Sequence, residues 1–463
     1  MKRAVIPPEE TARQRAYEQK ILALRQGGLA HVVTYGCQQN VADSQQLRGM
    51  LAAMGFGFTD DPAQADLVLL NTCAIRDNAE QKVYGALGRL THIKERRPDL
   101  LVCLCGCMAQ QERVAEKVRR SYRLVDLVFG PQALWRFPEL LYEVLTKKGR
   151  VFSIENERGA IAEGAPVVRD SAVKAWVSIM YGCNNFCSYC IVPYVRGRER
   201  SRSPEDILAE VEGLVRDGYK EITLLGQNVN SYGKDLETPL DFAGLLAQID
   251  QIDGDFWLRF MTNHPKDTGD RLFAVMAKSR HIAPQLHLPV QSGSDRVLRA
   301  MNRGYTRASY LEKVRALREK IPQVVLTSDI IIGFPGETEA EAMETISLVE
   351  EVGYDALFTF IYSPRPGTPA AEMPDPVSRE EKQVWFQRLL DAQNRFSAQR
   401  HAAYVGRKVP ILVDGLSGDE AWPLSARTPG GRLVHLQGPA EAVGRFAQAD
   451  IVDSNTWALF GHL

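Results

Sequence analysis

Tyr181-Gly-Cys-Asn-Asn-Phe-Cys-Ser-Tyr-Cys-Ile-Val-Pro193 holds three cysteines, Cys183, Cys187 and Cys190, in a C-x3-C-x2-C spacing. Three thiolates satisfy three irons of a cubane 4Fe-4S cluster and leave the fourth iron open to bind and reduce a small molecule. A structural zinc site needs a fourth N or S ligand in paired spacings, and none lies near Cys190. Three core cysteines in one such short window are also disfavoured. The spacing therefore predicts a 4Fe-4S cluster.

The composition is that of an ordinary globular chain of two or three domains, with 463 residues, 45% hydrophobic residues and a net charge of -1. The charge balance gives no sign of a nucleic-acid binder but does not exclude local basic patches. The segment from Met1 to Gly28 lacks the apolar region of a signal peptide, and no apolar run is long enough to span a membrane. We therefore expect a cytoplasmic protein with no membrane partner, which agrees with cysteines used for metal binding.

The first part of the chain alternates short apolar runs with amphipathic stretches between residues 30 and 130. This alternation predicts an α/β domain with a parallel sheet covered on both faces. We place that domain at residues 29–148, after an N-terminal tail at 1–28. Residues 149–171 mix Gly, Ala, Pro and charges, and are expected to form a linker.

Six further strand candidates alternate with helical patterns in the segment 172–400. They are Trp176 to Met180, Ile222 to Leu225, Trp257 to Met261, Gln285 to Pro289, Val324 to Ile332 and Ala356 to Tyr362. Six βα units favour an open, partial barrel over a closed eight-stranded one. From 401 to 463, short β-rich pieces separated by Gly, Pro and Ser predict a small all-β barrel.

A second set of cysteines follows the strand candidates of the first domain. Cys37, Cys73 and Cys107 would meet at the carboxyl edge of the sheet, where open α/β sheets bind ligands. Three thiolates there could hold a second cluster. The alternative is that these are ordinary buried core cysteines, since free cysteine is among the most buried residue types. Cys103, Cys105 and Cys107 share one strand face, so periodicity does not choose among them. Cys107 is favoured because it lies at the strand end, and the other two are read as core.

Several loop residues after the barrel strands are candidates for binding. Gly226, Gln227 and Asn228 could hydrogen-bond a cofactor or the substrate, although a polar turn is the simpler alternative. Gly333 offers backbone for close approach of a nucleoside, with Glu337 beside it, unless the segment is an ordinary Gly-Pro turn. His264 and His287 are read as structural.

An arginine-rich run directly follows the C-x3-C-x2-C loop. Its members are Arg196, Arg198, Arg200 and Arg202. Their position favours contacts with phosphates of a nucleic acid over a solvated charged turn.

The C-x3-C-x2-C loop with aromatic Tyr189 resembles the signature of the radical S-adenosylmethionine (SAM) superfamily. Together with Tyr35-Gly-Cys-Gln-Gln-Asn, Asn71-Thr-Cys-Ala-Ile-Arg and Gly106-Cys-Met-Ala-Gln, it resembles the methylthiotransferases from about His31 to Leu463. The resemblance implies a methylthiotransferase domain, a radical SAM barrel and a C-terminal TRAM domain. It also implies two 4Fe-4S clusters, an auxiliary one on Cys37, Cys73 and Cys107 and a SAM-binding one on Cys183, Cys187 and Cys190. Tyr189 would then pack against the SAM adenine.

The Gln227-Asn-Val-Asn and Gln291-Ser-Gly-Ser segments look most like family members that methylthiolate N6-isopentenyladenosine beside the anticodon of tRNA. Such an enzyme would use two SAM molecules per product, together with an electron donor and a sulfur source that the sequence does not identify. The alternatives are a relative acting on N6-threonylcarbamoyladenosine in tRNA, and one acting on an aspartate of ribosomal protein S12. A non-catalytic iron-sulfur protein that binds RNA or acts as a sensor is a fourth hypothesis. The region from His401 has five Lys or Arg and six Asp or Glu, which is less basic than expected of an RNA-binding module.

Overall fold

The structure is a computed structural model that describes residues 5–25, 27–74, 77–147, 149–154 and 160–463. The chain forms two compact units. The first comprises Met1–Asp170, Met180–Asn184 and Cys190–Arg202, and the second comprises Ser171–Ile179, Asn185–Tyr189 and Ser203–Leu463. Within the described residues, no helix has both the length and the apolar character needed to cross a membrane.

The strands are, in chain order, β1 Gly28–Thr34, β2 Phe56–Phe58, β3 Leu67–Thr72, β4 Leu101–Gly106, β5 Leu127–Phe129, β6 Val151–Ser153, β7 Lys174–Ser178, β8 Met180–Tyr181, β9 Arg200–Ser201, β10 Glu221–Leu225, β11 Trp257–Phe260, β12 Gln285–His287, β13 Val325–Ile332, β14 Ala356–Ile361, β15 Lys408–Leu416, β16 Leu424–Arg427, β17 Leu433–Gln437, β18 Phe446–Ser454 and β19 Leu459–His462.

The α-helices are α1 Pro8–Arg25, α2 Gln38–Ala53, α3 Asp77–Arg96, α4 Glu112–Ser121, α5 Phe137–Lys147, α6 Val192–Arg196, α7 Pro204–Arg216, α8 Phe242–Ile249, α9 Asp270–Lys278, α10 Asp295–Ala300, α11 Arg307–Lys320, α12 Glu339–Val352 and α13 Arg379–Ala402. Short 3-10 helices lie at Pro131–Arg136, Val229–Ser231, Pro369–Glu372 and Ala440–Ala442.

The first unit is built on a parallel sheet with the strand order β2-β1-β3-β4-β5-β6. Every residue of β3 is buried, and its side chains alternate between two apolar clusters. Leu67 and Leu69 belong to one cluster, while Val68 and Leu70 belong to the other. Because successive side chains of a strand point to opposite faces, both faces of the sheet are covered. The predicted parallel α/β domain is therefore confirmed.

The flanks of this unit contain more structure than the sequence patterns indicate. Helix α1 occupies most of the expected N-terminal tail, and its Ile21 is buried in the core of the first unit. Strand β6 extends the sheet inside the expected linker. Residues 1–4 of that tail and 155–159 of that linker lie outside the described residues.

The second unit contains the six strands of the predicted partial barrel. Strands β7, β10 and β11 form one parallel sheet in the order β11-β10-β7, and β12, β13 and β14 form another in that order. A parallel bridge between Leu258 and Ile282 continues the pairing from β11 toward β12. The helices between successive strands are those of a βα series, which confirms the open six-stranded barrel.

The C-terminal strands close into a small barrel in the order β15-β16-β17-β19-β18, as the sequence predicts. Its apolar core includes Ile411, Val434 and Leu459. Within the second unit, this small barrel contacts the six-stranded barrel. Arg259 of β11 donates hydrogen bonds to the carbonyl oxygens of Thr428 (3.1 Å) and Pro429 (2.7 Å).

A buried ion pair between Arg432 and Asp355 joins the same two parts of the second unit, with side-chain exposures of only 5% and 8%. We expect Arg432→Met to lower the free energy of unfolding by about 3–5 kcal/mol, because it leaves buried Asp355 with only the longer, half-exposed contact to Arg400 at 3.9 Å as a counter-charge. Denaturant unfolding of the second unit, followed by tryptophan fluorescence, measures this loss. Lys408→Met is the matched control, since Lys408 pairs with Asp450 at the surface and such pairs contribute little. Equal effects of the two substitutions would contradict the prediction.

Candidate metal and cofactor sites

Cys37, Cys73 and Cys107 lie at the carboxyl ends of β1, β3 and β4, which are neighbours in the sheet. The loop containing Cys37 closely approaches the one containing Cys73. Gly36 has φ +134°, and a Cβ atom at this position would lie 2.6 Å from the Cβ of Cys73. Only glycine tolerates that conformation and that spacing together, so the residue before Cys37 permits the two thiols to converge.

A buried polar network holds these strand ends in place. Asn40 of α2 donates from Nδ2 to the Oδ1 of Asn71 at 3.1 Å and to the carbonyl of Thr72 at 3.0 Å. Asn71 returns a hydrogen bond to the carbonyl of Asn40 at 2.8 Å, and the Thr72 hydroxyl donates to the carbonyl of Cys105 at 2.6 Å. Fully satisfied buried networks of this kind rigidify their surroundings. The loops of the three thiols are thus fixed before any metal binds.

The thiol of Cys107 lies in the interior of the first unit beside a guanidinium. Its residue is only 2% exposed, and burial raises its pKa to about 12, with the Arg196 guanidinium opposing the rise and Cys73 and Cys37 adding to it. A thiol in this state is protonated at neutral pH, and the thiolate is the metal-binding form. Metal binding here must release protons. The donor set of three converging thiols fits a cluster one ligand short of complete coordination.

No group of three or more His, Cys, Asp or Glu side chains in the part of the chain that the structure describes stands close enough to hold a single metal ion. The thiolates of a cubane cluster bind separate irons, so they need not meet at one metal atom.

Cys103 and Cys105 lie inside β4 and belong to the apolar core of the first unit. Burial raises the pKa of both thiols above the usual range. Their side chains pack in the sheet interior rather than in a loop, which confirms that they are core residues.

The arginine-rich run is not uniformly exposed. Arg198 lies at the surface, while Arg200 and Arg202 are half-buried. Arg200 donates to the carbonyl of Arg196 at 3.2 Å, and Arg202 pairs with Glu163 at 2.7 Å. Arg198 is thus the most exposed member of this run, and the phosphate contacts of Arg198, Arg200 and Arg202 stay a prediction.

Arg196 differs from the other three because it is buried, with 4% of its surface exposed. Its Nε donates to the Sγ of Cys107 at 3.1 Å, and its Nη2 donates to the Oδ2 of Asp43 at 2.7 Å. Although burial lowers the pKa of Arg196, the charges of Asp43 and Cys107 raise it well above its ordinary value. The expectation that this side chain grips a phosphate therefore needs correction: its donors already serve a carboxylate and a cysteine inside the first unit.

The loop of Cys183, Cys187 and Cys190 is divided between the two units. In the first unit, the backbone N-H of Cys183 donates to the carbonyl of Gly197 at 3.1 Å, and Cys190 is half-buried. Gly182 has φ +78°, and a Cβ atom there would lie 2.1 Å from the carbonyl oxygen of Arg198. A glycine before Cys183 is therefore required for the turn that presents this thiol.

In the second unit, Cys187 is buried beside Arg303, a residue that the sequence patterns do not single out. Arg303 donates from Nη1 to the Cys187 Sγ at 3.3 Å and from Nη2 to the carbonyl of Pro289 at 2.8 Å. Tyr189 lies within 3.4 Å of the same guanidinium and packs against an apolar cluster that includes Phe334.

Arg303 is only 4% exposed, and among the described residues it has no ion pair with a carboxylate. Burial would lower its pKa, yet Tyr189, Tyr305 and Cys187 raise it above the ordinary value, so the charge persists. A buried charge without a counter-charge is costly. The residues around Cys187 therefore fit an anionic group, such as a thiolate-bound cluster or a ligand carboxylate.

The loop after β10 carries Gly226, Gln227 and Asn228. The carbonyl of Gly226 accepts a hydrogen bond from the Thr262 hydroxyl at 2.6 Å. Asn228 is buried and donates from Nδ2 to Asp267 at 2.8 Å, while its Oδ1 has no hydrogen-bond partner among the described residues. Gln227 is half-buried. An unpartnered acceptor in this loop suits a ligand donor such as an amino group.

Glu337 fixes the turn after β13. Its Oε2 accepts hydrogen bonds from the N-H groups of Gly333 at 2.5 Å and Phe334 at 3.1 Å, and its buried Oε1 has no partner in the part of the chain that the structure describes. Gly333 has φ +73°, so this turn requires glycine. Burial raises the pKa of Glu337 from 4.5 to about 7.

The raised pKa predicts a pH-dependent stability. The folded protein binds the Glu337 proton more tightly than the unfolded chain, so this stabilisation is complete below about pH 4.5 and is lost as the pH rises through about 7. Between these two pH values, the free energy of unfolding of the parent should therefore fall by up to about 3 kcal/mol relative to that of Glu337→Gln. Denaturant unfolding at both ends of the window measures the difference.

Glu341→Gln is the control for this prediction. A hydrogen bond from Arg296 lowers the pKa of Glu341 to about 2, so this carboxyl stays ionised across the same window. The stability difference between parent and Glu341→Gln should not vary there. A Glu337→Gln variant with the same pH profile as the parent would refute the expected titration.

The two histidines near the strand ends are both buried. Burial, helped by Arg303, lowers the pKa of His264 to about 2, so its ring stays neutral at physiological pH. His287 is buried and hydrogen-bonded to the Thr327 hydroxyl at 3.0 Å. Both placements agree with their interpretation as structural residues.

An open six-stranded βα barrel with a C-x3-C-x2-C loop after its first strand defines a radical SAM enzyme. Family models agree: "Radical SAM superfamily" matches residues 177–349, "Uncharacterized protein family UPF0004" matches 30–130, and "TRAM domain" matches 402–463. Curated relatives extend the match to the whole chain. The chain belongs to the family of tRNA-2-methylthio-N(6)-dimethylallyladenosine synthases.

Three relatives that carry that name illustrate the match. The protein of Acetivibrio thermocellus is 46% identical over 470 residues, covering 100% of this chain and 98% of the relative. That of Thermoanaerobacter sp. is 47% identical, covering 94% and 92%. That of Clostridium perfringens is 48% identical, covering 93% and 97%. The chain is thus an enzyme of this class, with SAM and a 4Fe-4S cluster as cofactors.

Solved structures share the fold at low sequence identity. The radical SAM methyltransferase TsrM from Kitasatospora setae, with tryptophan and a SAM analogue bound, gives a TM-score of 0.54 at 14% identity, covering 74% of this chain and 75% of TsrM. The cobalamin-dependent radical SAM enzyme OxsB gives 0.51 at 12% identity, covering 80% and 56%. These likenesses concern the fold alone.

Proposed function

We propose that this enzyme converts N6-isopentenyladenosine beside the anticodon of tRNA to its 2-methylthio derivative. The observation that carries the proposal is the presence of two separate sets of three cysteines in one chain. Its relatives named as tRNA-2-methylthio-N(6)-dimethylallyladenosine synthases support the substrate. The C2-H bond of an adenine is not acidic enough for a side-chain base to remove its proton. The reaction therefore needs a radical to activate this bond and a carrier for the sulfur, which two clusters would provide.

The second cofactor in this proposal is an auxiliary 4Fe-4S cluster on Cys37, Cys73 and Cys107. Three converging thiols, a buried polar network that fixes their loops, and the Arg196 guanidinium on Cys107 support it. When bound, the SAM cluster would supply the electron for SAM cleavage, and the auxiliary cluster would carry the sulfur for transfer.

The protein residues hold and orient these groups. Cys183, Cys187 and Cys190 would bind the SAM cluster, and Arg303 would neutralise its charge through Cys187. Tyr189 would pack against the SAM adenine, near the Gly333 turn that Glu337 fixes. Gly226 and Gln227 would meet the methionyl end of SAM, and the free Oδ1 of Asn228 would accept from SAM or from the substrate.

The tRNA would contact the exposed Arg198 first, with Arg200 and Arg202 nearby once their internal partners are exchanged. The target base must leave the anticodon stack to react, as enzymes that act on bases generally require. We place the enzyme in the cytoplasm with its tRNA substrate. The enzyme also needs an electron donor and a sulfur source as partners.

The proposal is tested with anaerobically reconstituted protein, SAM, a reductant and tRNA anticodon stem-loops carrying either isopentenyladenosine or threonylcarbamoyladenosine. Nucleoside mass spectrometry should find the methylthio product on the isopentenyl substrate alone. Product on the threonylcarbamoyl substrate would assign the chain to the alternative tRNA activity. SAM cleavage with neither RNA modified would favour an aspartate of ribosomal protein S12 as the substrate.

A further inference from the structure

A buried guanidinium bridges a cysteine and a carboxylate in the first unit. Arg196 reaches the Sγ of Cys107 through Nε and the Oδ2 of Asp43 through Nη2, and the side chains of Arg196 and Asp43 are 5% and 6% exposed. The second oxygen of Asp43 accepts a hydrogen bond from Gln39 at 3.1 Å. The carboxylate is thus held on α2, and the guanidinium is held on the carboxylate.

The geometry is more specific than a charge pair requires. An arginine that only neutralised Asp43 could present both terminal nitrogens to it in the bidentate arrangement that such pairs favour. Here one edge of the guanidinium is directed to sulfur instead. Hydrogen bonds to cysteine sulfur and nearby net charge are the means by which a protein sets the reduction potential of an iron-sulfur cluster.

We propose that the Arg196–Asp43 pair sets the reduction potential of the auxiliary cluster, with Arg196 acting on the sulfur of Cys107 and Asp43 limiting the effect of its charge. The proposal rests on the auxiliary cluster of the proposed function. Reduction adds one electron and hence one negative charge to the cluster. Arg196 stabilises that added charge through the sulfur, and Asp43, a nearby negative charge, opposes it.

The buried arginine of the second unit provides an internal comparison. Arg303 also donates to a cysteine sulfur, that of Cys187, but it has no carboxylate partner among the described residues. Arg196 has one. Each cysteine set therefore receives a hydrogen bond from a buried arginine, but only the arginine at Cys107 is paired with a carboxylate. The paired carboxylate is the feature that distinguishes the two sites.

The proposal predicts shifts of opposite sign. Arg196→Gln leaves Asp43 unpaired beside the cluster and should lower its midpoint potential. Asp43→Asn leaves the guanidinium uncompensated and should raise it. At a fixed potential, each change should alter the ratio of oxidised to reduced cluster at least tenfold. This corresponds to a shift of the midpoint potential of about 59 mV for a one-electron couple. The double variant should return close to the parent value, because both charges are absent.

The measurement is an anaerobic redox titration followed by electron paramagnetic resonance. It uses the full chain with Cys183, Cys187 and Cys190 all changed to Ala, so that only the auxiliary cluster contributes to the signal. Arg196→Lys is the conservative variant, which keeps the charge but not the planar fork, and its shift should be smaller than that of Arg196→Gln. Far-ultraviolet circular dichroism checks the fold of each protein.

Opposite shifts support the proposal, and shifts of the same sign or no shift overturn it. Loss of iron from all the Arg196 and Asp43 variants with an intact fold also overturns it, because the pair would then serve cluster assembly only. Absence of iron from the background protein itself is a different failure. It would refute the auxiliary cluster, and with it that part of the proposed function.

Discussion

Replacing Cys183, Cys187 and Cys190 together by alanine is expected to reduce the formation of 5′-deoxyadenosine from SAM to the detection limit. These thiols are the proposed ligands of the SAM cluster. Without that cluster, the iron that would bind the methionyl group of SAM and pass an electron to SAM is absent. About half of the reconstituted iron should remain, held by the other cysteine set. Liquid chromatography of the nucleoside products and iron analysis measure the two quantities.

Cys103→Ala is the matched control for this triple variant. Cys103 is a buried core residue of β4 and is not a proposed ligand. Its substitution should leave both iron content and SAM cleavage near the parent level, at a modest cost in stability from the lost packing. Undiminished 5′-deoxyadenosine from the triple variant would exclude these cysteines as the site of radical generation.

Replacing Cys37, Cys73 and Cys107 by alanine is expected to separate SAM cleavage from product formation. The SAM cluster remains, so reductive cleavage to 5′-deoxyadenosine should continue, whereas the 2-methylthio nucleoside should fall to the detection limit because the sulfur has no carrier. Mass spectrometry of the stem-loop substrate and of the nucleosides follows both outcomes in the same sample.

Cys105→Ala provides the comparison for this second variant. Cys105 precedes Cys107 by two residues but lies in the sheet core, and its carbonyl rather than its thiol is engaged by the Thr72 hydroxyl. Product formation should survive in Cys105→Ala. Methylthio product from the Cys37, Cys73 and Cys107 variant would show that the sulfur is carried elsewhere.

Most strands of the first sheet and all six barrel strands were predictable because their side-chain patterns are strong, whereas the edge strand β6 was not, since it lies inside the expected linker. Strand β3 is a continuous apolar run buried on both faces, and all six barrel strands lie within a few residues of their predicted positions. Helix α1 was not predicted. Its sequence is dominated by Glu, Gln and Arg, and few of its residues, such as Ile21, are buried, so local apolar periodicity is weak.

The burial of Arg196 could not be read from its neighbourhood in sequence. Four arginines in seven residues are typical of an exposed patch, and the partner Asp43 lies 153 positions away in α2. Helix α2 itself reads as polar, yet Gln39, Asn40 and Asp43 are all buried. Only the fold brings these groups together, and the same holds for Arg303 and Cys187, which are separated by 116 positions.

The eight cysteines differ sharply in accessibility. Cys37 and Cys190 are partly exposed, one in each proposed ligand set, whereas the other six are buried. Access to the apoprotein thiols is therefore limited to one entry point per set. A short pulse of an alkylating reagent would modify these two positions first and so block both sites with two covalent events. Dissolved oxygen acting on metal-free protein has the same two points of attack, which makes the order of thiol damage a property of the fold.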